Sequence, residues 1–470
     1  MVQMFLPHAV QLRLLGVCKE RLQIYGIVYL LFITFGAFFS SGYYLGSHLL
    51  SVPHFEADTT GISLTFHQKR RREMKKSVKL FLAVAMILTF GMFTSFASSA
   101  EETVKAGFIF LHDENSTYDL NFINAAKEAC EKMGIEAVMK TGIPEGQECY
   151  EAACELADAG CNFVFADSFG HEDYMIEAAR EFPDVQFCHA TGTKAHTEEL
   201  DNFHNAFASI YEGRYLAGIA AGLKLNEMIA NGEITEDQAK MGYIGAYTYA
   251  EVISGYTSFF LGARSVCPSV TMEVTFTGSW YDETAEKEGA NKLIEDGCVL
   301  ISQHADSMGA PTACETAGVP NVSYNGSTAS ACPNTFIVSS RINWEPYFEY
   351  AMGCVASGEA IAADWTGDIS TGSVVLTEFG SAIAEGTEEA VAAASEELVA
   401  GNLHVFDTAT FTVEGEKLES YMADVDTDPE YEKDHEVIVD GYFNESGEGL
   451  RSAPYFDLQI DGITLLDTAF

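Results

Sequence analysis

The sequence predicts an α/β protein of two doubly wound parallel-sheet lobes joined by a hinge. Three observations lead there. Beyond residue 100, short apolar runs alternate with stretches of helical period, the pattern of parallel strands covered by helices on both faces. The alternation runs through once and then starts again. The chain has 470 residues, 47% of them hydrophobic, enough to fill two cores and too apolar for a disordered chain.

The elements follow in order. Residues 104–111 predict a strand. Apolar positions Phe122, Ala126, Ala129 and Met133 recur at helical spacing until Gly134, predicting a helix over 120–133. Strands are expected at 135–139, 161–166 and 185–189, with helices at 148–159 and 174–182 between them. In the second half, 210–224, 252–266 and 283–296 predict helices, and 241–244, 271–277, 299–303 and 319–324 predict strands. One more helix is expected at 344–356. Beyond residue 371 the chain is acidic and less regular. It holds one helix candidate at 391–400 and a charged surface loop at 424–435.

Charge excludes one class of partner. The net charge is −43, and residues 101–470 alone hold 16 basic and 65 acidic residues, net −49. Such a surface repels phosphate backbones, so nucleic acid is not a partner. The basic residues concentrate earlier. From Met74 a basic start (Lys75, Lys76, Lys79) precedes an apolar run over 80–93, with Ser98 and Ala100 after it. This is the form of a secretory signal peptide, and it predicts an exported protein. Residues 22–39 are apolar enough for a membrane span. A signal peptide begins a chain, so 1–73 reads as a mis-called extension ahead of the true start at Met74. A membrane anchor is the other reading.

Ten of the eleven cysteines follow Ala100, none in C-x-x-C spacing, and no zinc pattern is present. Export permits disulfides. Most of these cysteines nevertheless lie in apolar stretches, so buried thiols are expected. No phosphate-binding G-x-x-x-x-G-K-[ST], no H-E-x-x-H and no G-x-S-x-G occurs, and no enzyme activity, cofactor or metal is expected.

The chemistry sits just after the strands, at the edge where ligands bind in open α/β sheets. These loops carry Ser116, Thr117, Tyr118 and Asp119; Asp167, Ser168 and Phe169; Tyr247; Trp280; Gln303 and Asp306; and Asn325. Trp344 is a further candidate, at the start of its helix. Aromatic faces stack on planar ligands, and carboxylates and amides read ring edges and ribose hydroxyls. The loops hold almost no Lys or Arg. The mixture therefore suits a purine nucleoside better than an amino acid or a phosphorylated ligand. Each residue has a duller use: Asp306 as a helix cap, Asn325 as a turn residue, Tyr118, Trp280 and Trp344 as hinge or core aromatics.

The stretches DSFGHEDYMIEAAREFPDVQFCHATG, IYEGRYLAGIAAG, AEVISGYTSFFLGARSVCP, GSWYDETAEKEGANKLIEDGCVLISQHADS and RINWEPYF carry a resemblance. They are similar to the basic membrane protein family of ABC transporter substrate-binding proteins, which includes purine nucleoside receptors. The resemblance implies a type I periplasmic-binding fold. The first lobe would span about 101–208 and 325–370, the second about 209–324 and 371–470. It also implies an extracytoplasmic, monomeric protein that takes a purine nucleoside or base between the lobes and delivers it to the permease subunits of an ABC importer. An extracytoplasmic receptor that senses a small solute without transport is the alternative. Carried across by position, the contacts fall on Thr117, Tyr118, Asp119, Ser168, Phe169, Trp280, Gln303 and Asp306. Three departures stand out. Ser116 occupies a position that is Trp in many relatives. Asn325 occupies that of a hinge carboxylate. No lipid-anchor Cys follows the signal segment, which reads Ser98-Ser99-Ala100-Glu101.

Overall fold

The computed structural model describes residues 103–426, 430 and 432–468. The expected signal peptide at 74–100 and the stretch 1–73 lie outside the described residues. No helix among the described residues is long and apolar enough to cross a membrane.

The first sheet forms from β1 (Lys105–Ile109), β2 (Glu136–Lys140), β3 (Phe163–Ala166), β4 (Gln186–Ala190) and β5 (Phe203–Ala208). Helices α1 (Thr117–Met133), α2 (Gln147–Asp158), α3 (Glu172–Glu181) and the short α4 (Ala195–Glu198) connect them. The second part continues with α5 (Ile210–Ala230), β6 (Lys240–Gly245), α6 (Ala250–Val266), β7 (Thr271–Phe276), α7 (Glu283–Glu295) and β8 (Leu300–Gln303). Then come α8 (Gly309–Ala317), β9 (Asn321–Tyr324), β10 (Phe336–Ile342), α9 (Glu345–Ser357), β11 (Asp364–Gly367), β12 (Val374–Leu376) and α10 (Thr387–Val399). Five short strands close the chain: β13 (Met422–Ala423), β14 (His435–Glu436), β15 (Ile438–Val439), β16 (Tyr442–Phe443) and β17 (Ile463–Leu465).

The first sheet has the order β11-β5-β4-β3-β1-β2 and the second β12-β10-β9-β8-β6-β7-β17. Every pairing in the first sheet is parallel. The second is parallel except where β12 runs against β10. Each sheet thus has the doubly wound order 2-1-3-4-5 at its centre, with a switch point between its first and third strands. Alternate residues of the strands bury on opposite faces. In the first lobe Phe108 and Phe165 join one core with Phe122 and Trp344, while Ile109 and Val164 join a second core with Leu156 and Phe187.

The chain crosses between lobes three times. The first crossing is at Ser209, between β5 and α5; the others lie between β10 and α9 and between β11 and β12. The strand Phe336–Ile342 pairs with β9, so the return to the first lobe comes after Ile342 and not at 325. The crossings bond to one another. Ser209 N donates to Gly367 O (2.7 Å), and Asn343 N donates to Ser373 O (2.7 Å).

Two motif stretches have a plain packing reason. Helices α5 and α6 touch backbone to backbone. A Cβ on Gly218 would come within 2.1 Å of Phe259 O, and one on Gly262 within 2.0 Å of Tyr215 O. IYEGRYLAGIAAG and LGARS are thus the two faces of one close helix contact, which only glycine permits.

All ten cysteines after Ala100 are free thiols, nine of them buried and Cys154 partly so. Burial pushes the Cys188 thiol up to about 12, which leaves it protonated and unreactive.

Candidate functional site

The loops after β1 and β3 in the first lobe face those after β6 and β8 in the second, switch point to switch point. Between them lies a narrow cleft lined by residues of both lobes. The first lobe lines it with Leu111, His112, Tyr118, Asp119, Ser168, Phe169 and Thr191. The second supplies Glu251, Trp280, His304, Asp306 and Tyr324. The lobes touch directly. Thr117 donates from its N–H (3.1 Å) and its hydroxyl (3.2 Å) to the carbonyl of Asp306. Phe169 stacks on Tyr249 with centroids 5.0 Å apart.

On the first-lobe wall, α1 begins at the cleft. Ser116 caps it, accepting from Asp119 N (3.2 Å) and donating to Asp119 Oδ2 (2.6 Å), and is itself fully buried. The Trp-to-Ser departure therefore supplies a cap, which helix N-termini favour. Asp119 also accepts from His112 N (2.6 Å) and lies 3.3 Å from His112 Nδ1. Burial opposes its charge, yet the hydrogen bonds from His112 and Ser116 outweigh it and hold this carboxyl below the usual range. Tyr118 donates to Asp167 O (2.7 Å), which fixes its ring in the wall. Asp167 accepts from Leu111 N (3.1 Å), and its Oδ2 is buried without a partner. Burial, then the nearby Asp119 charge, pushes the Asp167 carboxyl well above the carboxylate range. Ser168 donates to Glu145 Oε1 (2.6 Å). Thr191 holds φ of 65°, a costly conformation for a β-branched residue, tied by its N–H to Ala206 O (3.2 Å).

On the second-lobe wall, Trp280 packs edge-on to Tyr247 (5.0 Å), and Tyr247 stacks on Tyr249 (5.1 Å). Asp306 N donates to Trp280 O (3.0 Å), so the two side chains are set by one backbone contact. Burial and the Asp119 charge across the cleft hold the Asp306 carboxyl well above its ordinary range. Two acids that disfavour each other's ionisation across a closing cleft are relieved by donors placed between them. His304 is buried 3.3 Å from Glu251 and lies next to Tyr324, ring centroids 4.7 Å apart. Burial holds the His304 imidazole below its ordinary range, opposed by Glu251.

Behind this wall is Arg214 of α5, fully buried. Its guanidinium lies 3.5 Å from the Tyr324 ring centroid and donates to Gln303 O (3.1 Å). Its other terminal nitrogen meets His304 Nδ1 at 3.2 Å.

Of the residues expected from sequence, Tyr118, Asp119, Ser168, Phe169, Trp280 and Asp306 line the cleft. The others stand behind or beside it. Gln303 braces its own loop, donating to Ala305 O (2.7 Å) and Ser307 O (3.1 Å). Asn325 sits at φ of 62°, which Asn tolerates, and reaches Asp306 Oδ1 at 3.4 Å. Trp344 is not a cleft residue. It is 1% exposed and stacks on Phe122 (4.4 Å) in the first-lobe core. His112, Thr191, Glu251, His304 and Tyr324 were not among the expected site residues. Four of them lie at or just beyond the carboxyl ends of strands, the same signal that found the rest, while Glu251 stands in the first turn of α6.

His189 holds the cleft loop from below, its Nε2 2.7 Å from Ser168 O. Burial pulls its pKa down to about 4. The unfolded chain binds this proton near pH 6.5, so the unfolded state carries more protons between pH 6.5 and 4. The His189 contribution to stability is therefore full above pH 6.5 and lost as pH falls toward 4. Acidification from pH 7 to pH 4 should destabilise the parent protein by about 3 kcal/mol more than His189→Gln. Urea melts of both across this range are the check, and parallel curves would contradict it.

Comparison with known proteins gives the family and the fold. Residues 110–405 match the family model for ABC transporter substrate-binding protein PnrA-like. A purine-binding protein of Brucella abortus (strain 2308) is 34% identical over 257 residues, covering 54% of this chain and 69% of the relative. A protein of Haloferax volcanii named for glucose binding with an ABC transporter is 31% identical over 263 residues, 56% of this chain and 63% of the relative. An ABC transporter solute-binding protein of Aeropyrum pernix K1 superposes with a TM-score of 0.56 at 15% identity, covering 64% of this chain and 93% of that structure. The chain belongs to the PnrA-like family of ABC transporter substrate-binding proteins.

Proposed function

We propose that the protein captures a purine nucleoside or purine base in the interlobe cleft and presents it to the permease of an ABC importer. The family is one of extracytoplasmic solute-binding proteins and not of catalysts. The finer reading, a purine, rests on one observation. The described cleft lining combines flat rings (Trp280, Phe169, Tyr118) with acids from both lobes (Asp119, Glu251, Asp306) and has no Lys or Arg. Rings stack on a planar base, and acids accept from ring N–H, exocyclic amino and ribose hydroxyl groups. A phosphate or a free carboxylate would find no Lys or Arg in that lining to pair with. The purine-binding name of the Brucella relative supports the reading.

A sugar is the second reading, favoured by the glucose-binding name of the Haloferax relative. Rings and carboxylates also hold pyranoses. The two separate in a thermal-shift panel of inosine, adenosine, guanosine, hypoxanthine, glucose and ribose. A purine compound at millimolar concentration should raise the melting temperature by several degrees. A shift with glucose and none with any purine would replace the purine by a sugar.

A further inference from the structure

One aromatic ring of the second lobe reaches across to the first. Tyr249 stands at the N-terminus of α6 and is 40% exposed. Its face lies on Phe169 of the first lobe, with centroids 5.0 Å and planes 29° apart. On its own lobe it stacks on Tyr247 (5.1 Å) and meets Trp280 (6.0 Å). Phe169 and Trp280 belong to the described cleft lining, and Tyr249 does not. Tyr249 thus ties a lining ring of one lobe to a lining ring of the other from outside the lining.

Both rings sit on pinned backbone. Tyr249 O accepts from Val252 N and Ile253 N (3.0 Å each), which holds the residue as the cap of α6. Phe169 opens the turn Phe169–His171, where His171 N donates to Ser168 O (2.9 Å) and Gly170 N donates to Glu145 Oε1 (2.8 Å). Neither can move with the opposite lobe when the two rotate apart about the hinge, so the stack forms only with the cleft closed. Thr117 and Asp306 also meet across the lobes, as do His112 and Tyr281 (5.5 Å). Loss of the Tyr249 ring therefore loosens closure without abolishing it.

We infer that Tyr249 is a latch residue: stacked on Phe169, it holds the lobes closed over bound solute and sets how slowly that solute leaves. The inference rests on the cleft of the reading above as the solute site, whichever solute it takes. Solute enters before the two rings meet and must part them to leave. The latch therefore acts on dissociation and not on association.

Stopped-flow measurements on the full chain test this, with inosine, hypoxanthine and glucose as probes. For whichever probe binds the parent, Tyr249→Ala should speed release about 3- to 10-fold, the worth of one aromatic pair, without lowering the association rate. Tyr249→Phe, which keeps the ring, should restore the parent rate. In a Phe169→Ala background Tyr249→Ala should add nothing, because the pair is already broken. An unchanged release rate in Tyr249→Ala overturns the inference. So does a full Tyr249→Ala effect in the Phe169→Ala background, which would make Tyr249 a direct solute contact. Binding of none of the three probes to the parent counts against the purine and sugar readings instead, and X-ray scattering of the ligand-free chain then decides the latch. Its radius of gyration should rise in Tyr249→Ala, and an unchanged value overturns the inference.

Discussion

Arg214→Met lowers stability by about 2–4 kcal/mol and weakens cleft binding in the same variant. Arg214 is fully buried, yet it is the pivot of the second-lobe wall. Its removal takes the guanidinium donor from Gln303 O, at about 1–3 kcal/mol for a buried group so stranded, and leaves His304 Nδ1 only the Tyr243 hydroxyl at 3.4 Å. The cation–ring contact with Tyr324 at 3.5 Å goes as well, about 1–2 kcal/mol in a desolvated setting. Relief of the guanidinium's own burial offsets part of this. His304 and Tyr324 both line the cleft, so affinity falls although Arg214 is not among the residues that line it. Arg214→Lys should not rescue, because an ammonium cannot reach a carbonyl and an imidazole while lying flat on a ring. Urea unfolding monitored by far-ultraviolet dichroism gives the stability change. A midpoint within error of the parent would show that the wall does not depend on Arg214.

Trp280→Ala weakens ligand binding by about 10- to 100-fold and leaves the fold nearly untouched. Stacking of a base on an aromatic side chain is worth about 1–3 kcal/mol by alanine substitution. Trp280 is only half-buried, in contact with Tyr247 (5.0 Å) and Tyr249 (6.0 Å). Its main-chain bond from Asp306 N survives the substitution. The melting temperature without ligand should therefore move by no more than a few degrees, while the ligand-induced shift shrinks. Asp306→Asn is the polar counterpart. It keeps the shape and removes the acid. A purine held through its N–H donors should lose affinity, and a ligand that needs only shape should not. Calorimetry on both variants separates stacking from hydrogen bonding.

The alternation of strands and helices was legible because parallel strands buried on both faces read as unbroken apolar runs, as in Phe163–Ala166. It failed where buried strands carry polar side chains. Phe203–Ala208 includes His204 and Asn205, and Phe336–Ile342 includes Ser339 and Ser340, all buried. Asn205 is tolerated there because it donates to buried Glu172 (3.0 Å), a pairing that only the folded sheet creates. The second of these strands stays in the second lobe beside β9, so the crossing at 325 that the family resemblance implied comes after Ile342 instead. The cleft was legible for a different reason. Doubly wound sheets expose one strand edge, so any polar or aromatic residue just past a strand becomes a candidate. Tyr118, Asp119, Phe169, Trp280 and Asp306 follow that rule. Trp344 departs from it because it begins a helix beyond the crossing, where Phe122, Phe165 and Phe207 enclose it. Spacing along the chain could not separate Gln303, which holds its loop together, from Asp306, which faces the cleft.

The central claim, that a purine compound occupies the cleft between the lobes, is tested most directly by the fluorescence of Trp280. The chain holds three tryptophans, and Trp344 and Trp365 can each be replaced by Phe, leaving Trp280 as the one reporter. Titration of that variant with inosine, hypoxanthine or adenosine should quench or shift its emission saturably, at one ligand per chain, with the ligand recovered unaltered. Saturable binding of glucose with no response to any purine would contradict the account.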